Sequence, residues 1–88
     1  MNNARRKDIA AIIARLQAVQ SEFESIRDDL QSVGEAEREA YDNMPESLQQ
    51  SERGEASSAA ADTLENAHSE LDAIDLESMI SELETAAE

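Results

Sequence analysis

From Ile9 onward the apolar residues fall at Ile9, Ile12, Leu16, Val19, Phe23, Ile26, Leu30 and Val33, in steps that alternate three and four without a fault. This is the a/d rhythm of a helix that buries a seam. The next places in register are Glu37 and Ala40, so the seam weakens there. The pattern predicts a first helix over about 5–42, roughly 55 Å long at about 1.5 Å per residue. Asp8 stands just ahead of the stripe and is the expected N-cap or first-turn acid. Arg5, Arg6 and Lys7 carry the wrong sign for a helix N-terminus, which predicts fraying of the first residues. Gly34 lies inside the helix at a cost of about 1 kcal/mol relative to alanine, and marks either a close approach by another helix or a tolerated surface site.

The stripe also has a handed composition. The a-type places hold Ile9, Leu16, Phe23 and Leu30, whereas the d-type places hold the β-branched Ile12, Val19, Ile26 and Val33. Parallel dimers prefer the reverse, with β-branched residues at a and leucine at d. The distribution therefore points to antiparallel or four-helix packing.

Pro45 ends the pattern, because it cannot sit inside the first helix and it pushes Met44 out of the helical region. Residues 43–54 form the expected connector. Asp42 or Asn43 can cap the next helical turn, with Pro45 near its first position. PESLQQ reads as that turn, with Leu48 directed to the core, and a new helix can start at Ser51 with Gly54 in or just ahead of its first turns. A second helix is expected over about 55–87. Its apolar residues run Ala60, Leu64, Ala67, Leu71 and Ile74, then shift to Leu76, Ile80, Leu83 and Ala87 with Met79 beside them. At about 100° per residue the second set lies on another face. The helix either kinks near 72–75, where Asp75 can cap a fresh start at Leu76, or is buried on two sides at its end.

The connector residues Tyr41, Asp42, Asn43, Pro45, Glu46, Ser47, Leu48, Gln49, Ser51, Glu52, Arg53, Gly54 and Glu55 resemble a motif of small acidic helical proteins of unknown function from phages, prophages and plasmids. The similarity extends loosely over most of the chain, as helix, connector and acidic Ala/Leu-rich helix. It departs at SSAAAD, where the family is more acidic. The resemblance implies a mobile-element setting and an αα-hairpin, and carries no activity. The expected fold class is all-α: a single 1–88 domain in which an antiparallel helical hairpin, two long helices joined by a Pro-containing corner, pairs into a four-helix bundle. A lone hairpin buries one face of each helix and leaves its flanks wet, so a homodimer is the expected closed solution.

Charge adds a second constraint. The 88-residue chain has a net charge of −14, and it is uneven. Residues 1–39 hold six Arg/Lys against eight acids, for −2, while residues 40–88 hold Arg53 against thirteen acids, for −12. Direct binding of nucleic acid or an anionic membrane is disfavoured, since both need clustered cations. A basic protein surface is the compatible partner. Absence of cysteine leaves no disulfide or thiolate metal site and fits a reducing interior, here the cytoplasm of a host cell. The N-terminal segment is interrupted by Asp8 and Arg15, unlike a signal peptide.

Candidate chemistry is thin. His68 has Glu65 and Asp72 at i−3 and i+4, but one imidazole with carboxylates is a poor metal set, and a solvated histidine is the simpler reading. Ser57 and Ser58 lack a histidine base. No catalytic, cofactor-binding or metal-binding residue is assigned. The candidate partner-binding residues are Tyr41, Asp42, Glu46 and Arg53 of the connector and the carboxylates Glu65, Glu70, Asp72, Glu77 and Glu84, among which Glu70, Glu77 and Glu84 recur every seven residues. A purely structural connector would instead have Tyr41, Met44 and Leu48 cap the core and Arg53 pair with Glu46 or Glu52. The expected function is a non-enzymatic acidic module that blocks a basic, nucleic-acid-binding host protein by imitating DNA charge or filling its channel. The alternative is a homo-oligomeric structural bundle, and the heptad stripe is expected to hold the protein together in either case.

Overall fold

A computed structural model describes all residues, Met1–Glu88. The chain is all-helical, with α1 over Asn3–Asp42, α2 over Glu46–Gln49, α3 over Glu52–Asp72 and α4 over Leu76–Ala86. No helix is long and apolar enough to cross a membrane. Two compact units are resolved: Met1–Ser25 with Ile74–Glu88, and Ile26–Ala73.

In the first unit the start of α1 runs antiparallel to α4. Asn2 caps α1, its Oδ1 accepting the Arg5 amide at 2.9 Å, so Asp8 is not the cap. Nor does Arg6 stay idle at the wrong helix end. Its Nε donates to the Ala87 carbonyl and its Nη2 to the Glu88 carbonyl, both at 3.1 Å, meeting orphan acceptors at the C-terminus of α4. Asp75 caps α4 by accepting the Ser78 amide at 3.0 Å, and Ala73–Asp75 interrupt what would otherwise be one helix. Ile80 is the most buried side chain of this unit, at 2% exposure.

In the second unit the rest of α1 lies antiparallel to α3, and small residues set the distance. Gly34, Gly54, Ser57 and Ala61 are its buried positions. The face of α3 turned inward therefore runs along Ser57, Ala61, Leu64, Ala67, His68 and Leu71, while Ala60 and Ile74, expected on the inner stripe, are exposed. Glu37, the polar residue at an a-type place, is half-buried and accepts a 2.7 Å hydrogen bond from buried Ser57. The weakening of the seam at that point is thus matched across the helix pair.

The corner is held by backbone groups. The Pro45 carbonyl accepts the Leu48 and Gln49 amides at 2.9 and 3.0 Å, with Pro45 itself as the extended N-cap of α2 and Asp42 still within α1. Gln49 donates from Nε2 to the Tyr41 carbonyl at 3.0 Å, tying α2 to the end of α1. Ser51 caps α3, its Oγ accepting the Gly54 amide at 3.3 Å.

The heptad stripe divides. The a-type Ile9, Leu16, Phe23 and Leu30 face inward, joined by Ile13, Gln20, Arg27, Gly34 and Tyr41 on the same side. The d-type Ile12, Val19, Ile26 and Val33 stay 43%, 50%, 45% and 55% exposed. Within the chain the stripe expected to hold the protein together does so through its a-type row alone: α1 is rotated so that this row packs and the other is left in water.

The two glycines give opposite expectations. A Cβ on Gly34 would sit 3.6 Å from Leu64 Cβ, an ordinary contact, whereas one on Gly54 would sit 2.3 Å from the carbonyl oxygens of Leu48 and Gln49. Gly34→Ala should therefore raise stability by about 0.5–1 kcal/mol through helix propensity. Gly54→Ala should lower it by roughly 1–3 kcal/mol through overpacking against backbone. Urea unfolding followed by circular dichroism measures both, and an equal sign for the two changes would contradict these contacts.

Candidate functional site

The charged contacts between helices gather on one flank of each unit. In the second unit, Asp62 and Glu65 each come one position after an inward residue, Ala61 and Leu64. Arg38 reaches both, with Nε donating to Glu65 at 3.1 Å and Nη2 donating to Asp62. Arg27 Nη1 meets Asp72 at 3.0 Å on the same flank. Hydrogen bonding to Glu65, then to Asp62, raises the Arg38 pKa above its ordinary value. A raised cation pKa contributes stability below the unfolded value and loses it only as pH rises through the folded one. Arg38 thus remains charged throughout the neutral range. In the first unit Gln20 Nε2 donates to Glu77 at 2.8 Å in the equivalent relation.

The same flank of the second unit carries a groove of about 530 Å³. Leu30, Gly34 and Leu64 give it apolar wall, and Glu35, Glu39 and Asp42 on α1 and Glu65 on α3 surround these with carboxylates. Arg38 is the one Arg or Lys among the lining residues. His68 also lines it and is half-buried, while Glu65 and Asp72 turn to arginines beside it.

The sequence-derived candidates separate accordingly. Asp42 and Glu65 come together in the groove. Tyr41 is half-buried, and its carbonyl serves the corner. Glu46 opens α2 and is exposed. Arg53 is exposed and pairs with neither Glu46 nor Glu52, contrary to the pairing expected of a structural corner. Asp72 and Glu77 are engaged within the chain by Arg27 and Gln20. Glu70 and Glu84 are exposed and free of ion pairs. Glu35, Glu39 and the fastening residues Gln20, Arg27 and Arg38 lie outside those candidates. Their signal is the seven-residue recurrence of Gln20 and Arg27 on the helix flank and the three- and four-residue steps from Glu35 to Arg38, Glu39 and Asp42.

No known protein family, curated protein or solved structure matches the chain.

Arg38→Gln removes the double fastening without adding bulk. Its urea midpoint should fall below that of the parent at low salt. The difference should shrink when sodium chloride is raised to molar levels, because exposed ion pairs are screened. A salt-independent difference would mean that Arg38 acts through packing instead.

Proposed function

We propose that the chain is a non-enzymatic interaction module, encoded by a mobile element, that works in the host cytoplasm by binding and blocking a basic protein surface of the nucleic-acid-binding kind. The observation that carries this reading is the groove of the second unit, where four carboxylates and one guanidinium surround Leu30, Gly34 and Leu64. A lysine or arginine side chain matches that chemistry. Its methylene stem covers apolar wall while its head meets carboxylates. The acidic background favours encounter, because the thirteen acids of residues 40–88 are all exposed and only Asp62, Glu65 and Asp72 are neutralised by arginines. Direct nucleic-acid binding is no part of the reading, and neither is a membrane.

A second reading is a homo-oligomeric bundle in which the chain, folded as one antiparallel hairpin, pairs with its copy for a structural purpose. The exposed β-branched row of α1 favours it.

The first reading is tested by affinity purification of the tagged chain from its native host, then gel-shift competition with the basic proteins recovered. The parent protein should displace nucleic acid from at least one of them at moderate salt. The double variant Glu35→Lys, Glu39→Lys should lose at least tenfold in potency while keeping its helical circular dichroism. Absence of any displaced nucleic-acid-binding protein would end the proposal.

A further inference from the structure

Each unit has a fastened flank and an apolar one. In the second unit Arg27 and Arg38 bind Asp72, Asp62 and Glu65 on the first flank. On α3, Ala60 and Thr63 each precede an inward residue by one position, which puts them about 100° to the other side, and both are exposed. On α1, Ile26 and Val33 take the corresponding places just before Arg27 and Gly34. In the first unit Gln20 and Glu77 fasten one flank, while Ile12 and Val19 of α1 and Met79 of α4 fall on the other and are exposed. Charged groups that tie the helices together are thus kept off the flank that carries the β-branched row.

We infer that a second copy of this chain docks on that apolar flank, with the two α1 helices antiparallel and their d-type rows in contact. The inference rests on the pairing reading above and adds its surface and its polarity. Charge selects the occupant. Residues 1–39 have a net charge of only −2, so two copies meeting along α1 bring little net repulsion to the seam. Charge also selects the direction. Arg15 and Asp29 stand beside the row, each one position before an inward residue, Leu16 and Leu30, and both are exposed. Parallel docking would set each of them against its own copy. Antiparallel docking brings opposite charges together, setting Ile12 against the partner's Val33, Val19 against the partner's Ile26, and Arg15 beside the partner's Asp29. The remaining like-charge meeting is Glu22 near the two-fold axis. The small exposed residues beside the row, Ala11, Ala18, Ser25 and Ser32, permit close approach.

The chain has no native cysteine, which allows a direct test. Chains carrying Ile12→Cys are mixed with differently tagged chains carrying Val33→Cys and oxidised gently. The antiparallel seam predicts the mixed disulfide and no homodisulfide. Light scattering of the parent should give the mass of two chains, and Ile26→Asp or Val33→Asp should each halve that mass with helical circular dichroism retained. A parent that is monomeric at millimolar concentration would overturn both the pairing reading and the seam. A dimer that gives homodisulfides or no disulfide, or one that survives both aspartate variants, would overturn the seam and leave pairing through another surface.

Discussion

The rotation of α1 about its own axis is the constraint on which everything else depends. A perfect a/d stripe offers the helix two ways to face its neighbour, and the chain takes neither symmetrically. It packs through the a-type row together with Ile13, Gln20, Arg27, Gly34 and Tyr41. Two features select that orientation. Gly34 presents no side chain to Leu64 of α3, whose Cβ lies 3.6 Å from where a Cβ on Gly34 would be, and α3 adds the small buried Ser57 and Ala61 to the same face. Meanwhile Arg27 and Arg38 are the only cations of α1 beyond residue 15, and the carboxylates of α3 lie where this rotation sends them. Turning α1 to bury the d-type row would withdraw both arginines from their acids and replace Gly34 by Val33 opposite Leu64.

The energetic consequence is lopsided. A fully buried valine or isoleucine is worth about 1.5–3 kcal/mol, so a row left half exposed forgoes on the order of 1 kcal/mol per residue. Exposed ion pairs return little against that, and salt screens what they do return. The isolated chain is therefore left with four regularly spaced β-branched side chains whose burial would still be favourable. An exposed large side chain taken singly needs no explanation, but a row at constant seven-residue spacing is a different observation.

Much of this was legible in the residues. The Pro45 corner, the Ser51 start of α3 and the Asp75 start of α4 arise from local chemistry: a ring that excludes helix, and side-chain oxygens placed before a helical run. The a-type row was legible too, because periodicity reports which residues share a face. What periodicity cannot report is where on a broad apolar stripe the neighbour sits. That depends on the small residues of α3, and Ala60 and Ala61 are indistinguishable by hydropathy. Asp8 misleads for a related reason. The rule that acids favour a helix N-terminus concerns its first turn, and Asn2 starts the helix nearly two turns earlier than the stripe does. The groove was half-legible, in Asp42 and Glu65. Its other acids, Glu35 and Glu39, are on a helix whose overall charge is near balance, where a count of charges gives no hint that they share one edge.

The two flanks also bear on each other. The fastened flank keeps its acids partly neutralised by Arg27 and Arg38, and the groove lies among these pairs, so a cation arriving there competes with Arg38 for Glu65. The apolar flank carries no such pair. A partner that acts through charge and a partner that acts through burial are thereby offered opposite sides of the same helix pair in the second unit. The side with carboxylates is screened by salt, whereas the side with isoleucine and valine is not, since salts that weaken ion pairs do not weaken apolar burial. Ionic strength is consequently the variable that separates the two surfaces physically, because one segment of α1 supplies residues to both.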